Sequence, residues 1–149
     1  MAFIRLRGKT KLMYFEGDTA EEVRDGSLVM MTDSGTVVPA RNDSTDAILG
    51  VARRNDTTTD SALIPVEVPV ESAVEWLIDV DSDAGAADSD VGRFVAVDTA
   101  GGTTGGDSVA ISVDVSDSAH NSVFITQIVS ASKVIGVLAN TAWHQTYDT

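Results

Sequence analysis

A mainly antiparallel β domain is the fold class this sequence predicts. Its apolar residues recur with a period of two, β-branched residues dominate those positions, and clusters of Asp, Ser, Thr and Gly interrupt them at short intervals. Helix is expected in under about a fifth of the chain, below the usual helical share. Taken in order, Ile4-Arg5-Leu6-Arg7 alternates as a half-exposed strand does. Thr19–Arg24 is a short helical candidate, because Thr19 and Glu22 have the spacing of a capping box. Leu28–Thr32, Ile48–Ala52 and Leu63–Val70 read as strands, although Pro65 and Pro69 make the last an edge strand or an extended connection. Phe94–Val97 follows. Then Val109–Val115 places Val109, Ile111, Val113 and Val115 on one face. Val123–Val129 and Val134–Ala139 are the last strands, with a helical turn expected near Ser130–Lys133.

The 149 residues and 15.6 kDa suit one domain with a real core. Residues 1–15 read as an N-terminal arm with a basic strand, and 16–149 as a single β domain. Apolar runs such as Ile48-Leu49-Gly50-Val51-Ala52 fall far short of the ~20 residues that cross a bilayer, so a soluble protein and no membrane partner are expected. The first residues lack the apolar stretch of an export signal. The absence of cysteine excludes disulfides, thiol catalysis and cysteine-based zinc sites.

Charge is the strongest compositional signal. A net charge of −13 argues against nucleic acid as a partner, since phosphate contact needs a basic face. Residues 1–54 are balanced, with eight bases and eight acids, whereas residues 55–149 set 15 acids against Arg93 and Lys133 alone. The acids are mostly Asp and the bases mostly Arg. That pattern resembles proteins of salt-loving organisms, and the alternative is an ordinary solubilising acidic surface.

Parts of the chain echo one another. Gly26-Ser-Leu28-Val29-Met30-Met31 parallels Gly92-Arg-Phe94-Val95-Ala96-Val97, and Ile48-Leu49-Gly50-Val51-Ala52 parallels Val134-Ile135-Gly136-Val137-Leu138. Two related β units, 24–70 and 90–140, are the simplest account. Chance reuse of strand-like strings is the other.

The run Gly26-Ser-Leu-Val-Met-Met, the turn Asp33-Ser-Gly35-Thr36, then Val37-Val38-Pro39-Ala40, Asp46-Ala-Ile48-Leu49-Gly50-Val51-Ala52 and Leu63-Ile-Pro65-Val-Glu-Val68 resembles the small capsid decoration, or cement, proteins of tailed viruses. The likeness covers mainly residues 24–70, and its motifs are short. It implies a compact β barrel or sandwich of β-tulip type. The subunit is expected as a homotrimer on the capsid exterior of the virion, bridging major capsid proteins after synthesis in the host cytoplasm. It implies no catalytic residues. The Asp bias adds a virus of a halophilic archaeon. A tail or fibre component and a calcium-binding adhesive domain are the alternative functions.

Other constellations carry less. His120 and His144 stand in no catalytic motif, so no enzyme is expected. Gly101-Gly-Thr-Thr-Gly-Gly106 lacks the lysine of a phosphate loop and is followed by Asp107, whose charge repels phosphate. The best metal candidate is Asp79, Asp81, Asp83 and Asp90, at the first, third, fifth and last positions of a twelve-residue calcium loop. Ala84 stands where that loop needs glycine, Asp90 replaces its bidentate Glu, and the flanks read as strands. Ca²⁺ or another hard cation is the candidate ligand, against no cofactor and a hydrated acidic loop.

Arg5, Arg7, Lys9 and Lys11 alternate, which lines four cations along one side of a strand. Two readings stand: a contact for an acidic capsid protein or neighbouring subunit, and an edge strand protected by its charges. Trp143 and Tyr147 are the aromatic candidates for a contact surface.

Overall fold

Stiff β-branched side chains favour extended backbone, and in the computed structural model they build two antiparallel sheets. The structure describes residues 3–18, 22–40, 48–57, 63–71, 73–80, 85–98, 112–116 and 122–139. The strands are β1 (Phe3–Arg7), β2 (Thr10–Glu16), β3 (Glu22–Val23), β4 (Leu28–Met31), β5 (Val37–Pro39), β6 (Ile48–Ala52), β7 (Asp56–Thr57), β8 (Leu63–Pro69), β9 (Glu75–Asp79), β10 (Phe94–Asp98), β11 (Ser112–Asp114), β12 (Val123–Ser130) and β13 (Lys133–Leu138). A six-stranded sheet has the order β1-β9-β13-β12-β10-β11, a five-stranded sheet β2-β8-β6-β4-β5, and β3 pairs with β7 in a separate ribbon. Among the described residues the helical content is one 3-10 turn, Asp88–Asp90. The class is the mainly β one expected, in the form of a sandwich.

Both sheets repeat one connectivity. In chain order β2, β4, β5, β6 and β8 form one set and β9 to β13 the other; in each, the spatial order is first, fifth, fourth, second, third. Each set rolls until one parallel bridge joins the residue after its first strand to its third strand, Gly17 to Val37 and Val80 to Val113. A single bridge at each seam is not a ladder, so neither roll is a closed barrel.

Gly26–Met31 and Gly92–Val97 run into strands that correspond in the two rolls, β4 and β10. Ile48–Ala52 and Val134–Leu138 do not correspond, because β6 is fourth in its roll and β13 fifth. Their likeness is local. A Cβ at Gly50 would stand 2.3 Å from the Glu67 carbonyl oxygen, and one at Gly136 would stand 2.8 Å from that of Phe124. Each glycine lets a neighbouring backbone come closer than any side chain allows.

The larger core lies between the sheets, where Trp76, Ile78, Val95, Val123, Ile125 and Val134 meet Leu28, Met30, Val38, Ile48 and Val51. A second cluster fills the five-stranded roll with Val29, Val37, Ala52, Ile64, Val66 and Val68, flanked by Val23 and half-buried Met13 and Phe15. That sheet is therefore apolar on both faces. This is why Leu28–Met31 and Ile48–Ala52 are continuous apolar runs.

Three expectations need correction. β8 is an interior strand, between β2 and β6, despite its prolines. The Arg53 amide donates to the Pro65 carbonyl, so Pro65, Glu67 and Pro69 turn their backbone toward β6, whose paired residues reach only Val66 and Glu67. No ladder donor is demanded of either ring. Glu22–Val23 pairs with Asp56–Thr57 instead of ending a helix, and Thr19 lies outside the described residues. Ala131 and Ser132 turn a β hairpin between β12 and β13, so no helical turn forms there. Of Val109–Val115, residues 109–111 lie outside the described residues.

Residues 3–16 do not stand apart as an arm. β1 pairs with β9, β2 pairs with β8, and Gly8, at φ 101°, turns the chain from one sheet to the other. A Cβ at Gly8 would lie 2.7 Å from the Val74 Cα. The two ladders form one bent ribbon across both sheets, and Phe3 at its start is fully buried.

Candidate functional site

The bend of that ribbon holds a half-buried brace. Glu67 of β8 accepts hydrogen bonds from Arg5 Nε at 2.6 Å, Arg53 Nε at 2.8 Å and Thr10 Oγ1 at 3.1 Å. Arg53 also donates to the Phe3 carbonyl at 3.3 Å and lies 5.9 Å from the Trp76 ring centroid, within cation–π range. Burial alone would raise the Glu67 pKa. The Arg53 hydrogen bond and charge, with the bonds from Arg5 and Thr10, outweigh it and hold the carboxyl below its ordinary value.

This geometry divides the four cations. Arg5 is committed to Glu67, and Arg7 pairs with Glu75 at 2.7 Å. Lys9 and Lys11 lie beyond the Gly8 turn, exposed, without an ion pair among the described residues. The four therefore share no single strand side, and the uncommitted positive charge belongs to β2.

Asp79 is paired with Lys133. Asp90 is buried; it caps the Ala87 amide at 2.9 Å and pairs with Arg93 at 2.6 Å. Asp81 and Asp83 lie outside the described residues, as do Trp143, Tyr147, His120, His144 and Gly101–Gly106. Among the described residues no three metal-ligating side chains converge. A polar hollow beside β3 and β7 is lined by Glu22, Arg24, Asn55 and Asp56, with Arg24 paired to Glu22 and Arg54 to Asp56.

The outward face of the six-stranded sheet carries a surface that sequence reasoning missed. Register aligns Ile4 with Leu77 and Leu77 with Ile135, and in the adjoining row Val137 with Phe124 and Phe124 with Phe94. Phe94 is 44% exposed, and its ring centroid lies 4.9 Å from that of Phe124. Ile4 is also exposed, and Leu77, Ile135, Val137 and Phe124 are half-buried. The signal in the sequence was the apolar residues on the outward parity of β9, β12 and β13, where a solvated sheet face carries polar ones. Glu75, Arg7, Asp79 and Lys133 supply its charged border.

Compared with known protein families, characterised proteins and solved structures, the chain matches none.

Proposed function

We propose that this chain is a virion structural protein that decorates an icosahedral capsid of a tailed virus and stabilises it by bridging major capsid proteins. The observation that carries this reading is the apolar outward face around Phe94 and Phe124, bordered by charge and set on a frame braced at Glu67. Such a patch is the kind of surface that binds another protein. The resemblance of residues 24–70 supplies the class of partner. The protein acts by binding alone, without cofactor or chemical step, and by mass action it favours whichever form of the shell it binds more tightly.

The test is binding to shells assembled from the major capsid protein of the same virus. Wild-type protein should bind the outside of those shells, and Phe94→Ser with Phe124→Ser should abolish binding while leaving the β circular dichroism spectrum intact. Binding to isolated tails instead of shells, or equal shell binding by the double variant, would overturn the reading.

A further inference from the structure

The two rolls differ at one corresponding position. In the roll of β9 to β13, the first strand, β9, has its outer edge covered by β1. In the other roll the first strand is β2, and beyond the bridge at Gly17 its outer edge has no partner strand among the described residues. The Lys9 carbonyl accepts from the Val70 amide, and Lys11, Met13 and Phe15 alternate with it toward β8. The backbone amides and carbonyls of Thr10, Leu12 and Tyr14 therefore face outward, because strand residues alternate in the direction of their hydrogen bonds, and at Glu16 this open edge ends on the bridge between Gly17 and Val37. Leu12 is 51% and Tyr14 59% exposed beside that open edge.

We propose that the open edge of β2 pairs antiparallel with β2 of a second copy of this chain, joining the two five-stranded sheets across a two-fold axis at Met13. The outward-facing residues set the register. Leu12 falls opposite Tyr14 of the other copy, so the outward backbone groups of both residues meet partners and two Leu–Tyr pairs form. Charge selects the direction. Lys9 and Lys11 lie at one end of β2 and Glu16 at the other, and none of the three has an ion pair among the described residues. Antiparallel pairing sets the lysine end of one copy beside the Glu16 end of the other; parallel pairing would stack lysine on lysine. A surface that fits itself in this way closes as a dimer. The inference concerns the edge of one sheet and not the outward face of the other, and a two-fold dimer takes the place of the homotrimer that the resemblance implies.

Sedimentation equilibrium of the full chain should give twice 15.6 kDa. Leu12→Lys with Tyr14→Lys sets like charges opposite each other twice, and should weaken association by about tenfold or more. Leu12→Glu with Tyr14→Glu should do the same, and mixing the two variants should restore a dimer. Because the chain has no cysteine of its own, Met13→Cys should cross-link on oxidation, as residues facing each other on the axis have Cα atoms about 4.5 Å apart. Ile4→Cys should not. A monomeric or trimeric wild type, a dimer that survives both charge variants, or cross-linking at Ile4 in place of Met13 would overturn the proposal.

Discussion

Arg5 reaches Glu67 at 2.6 Å from a strand of the other sheet, and with Arg53 it leaves that carboxylate held by two guanidinium groups. A cation on the first strand is thereby part of the frame, and the N-terminal strands are tied to both halves of the molecule.

Replacing Glu67 by Gln should cost about 1 kcal/mol at neutral pH, the scale of charged hydrogen bonds lost from a half-buried site that solvent partly screens. The Glu67 pKa is lowered in the folded protein, so its contribution is present above the unfolded value of about 4.5 and is lost as pH falls through the folded value. Urea unfolding should show wild type and Glu67→Gln separated at pH 7 and converging once pH drops below the carboxylate range.

Phe3 is fully buried against the core of the sandwich. Phe3→Ala should destabilise the fold by about 3–5 kcal/mol, and removal of residues 1–11 should be at least as damaging. A truncated chain with an unchanged urea midpoint would show that the first strand is dispensable.

Gly50→Ala forces a Cβ to within 2.3 Å of the Glu67 carbonyl oxygen unless β6 and β8 separate. The expected loss is about 1–3 kcal/mol or more, as for other overpacked sites. Gly35→Ala, in a turn with open space around it, should be milder despite its positive φ, and thermal melts of the two variants compare them directly.

The fold class was legible because Val123, Ile125, Val134 and Leu138 announce buried strand faces by simple alternation. Thr10–Glu16 and Glu75–Asp79 do not show themselves as strands in the sequence. The first has a half-exposed, mixed composition, and in the second Trp76, Leu77 and Ile78 form an apolar triplet that hides its period of two. The four cations were visible but their fates were not, because the partner of Arg5 lies 62 residues along the chain. Likewise, Phe94 and Phe124 become neighbours only through the pairing of β10 with β12. Such cross-strand groupings follow from register, and local composition does not carry register.

Acidity makes a separate prediction. If the net charge of −13 reflects a saline setting, repulsion among the carboxylates of residues 55–149 weakens the fold in dilute buffer. The melting temperature should rise markedly between low salt and molar KCl. A flat profile would make the acidic residues ordinary solubilising groups.

The capsid assignment meets its most direct test in the heat resistance of the shells themselves. Shells lacking this protein should rupture at a lower temperature than decorated ones, and adding back wild-type protein, but not the Phe94→Ser, Phe124→Ser variant, should restore the higher value. Equal rupture temperatures with and without the bound protein would contradict the stabilising role.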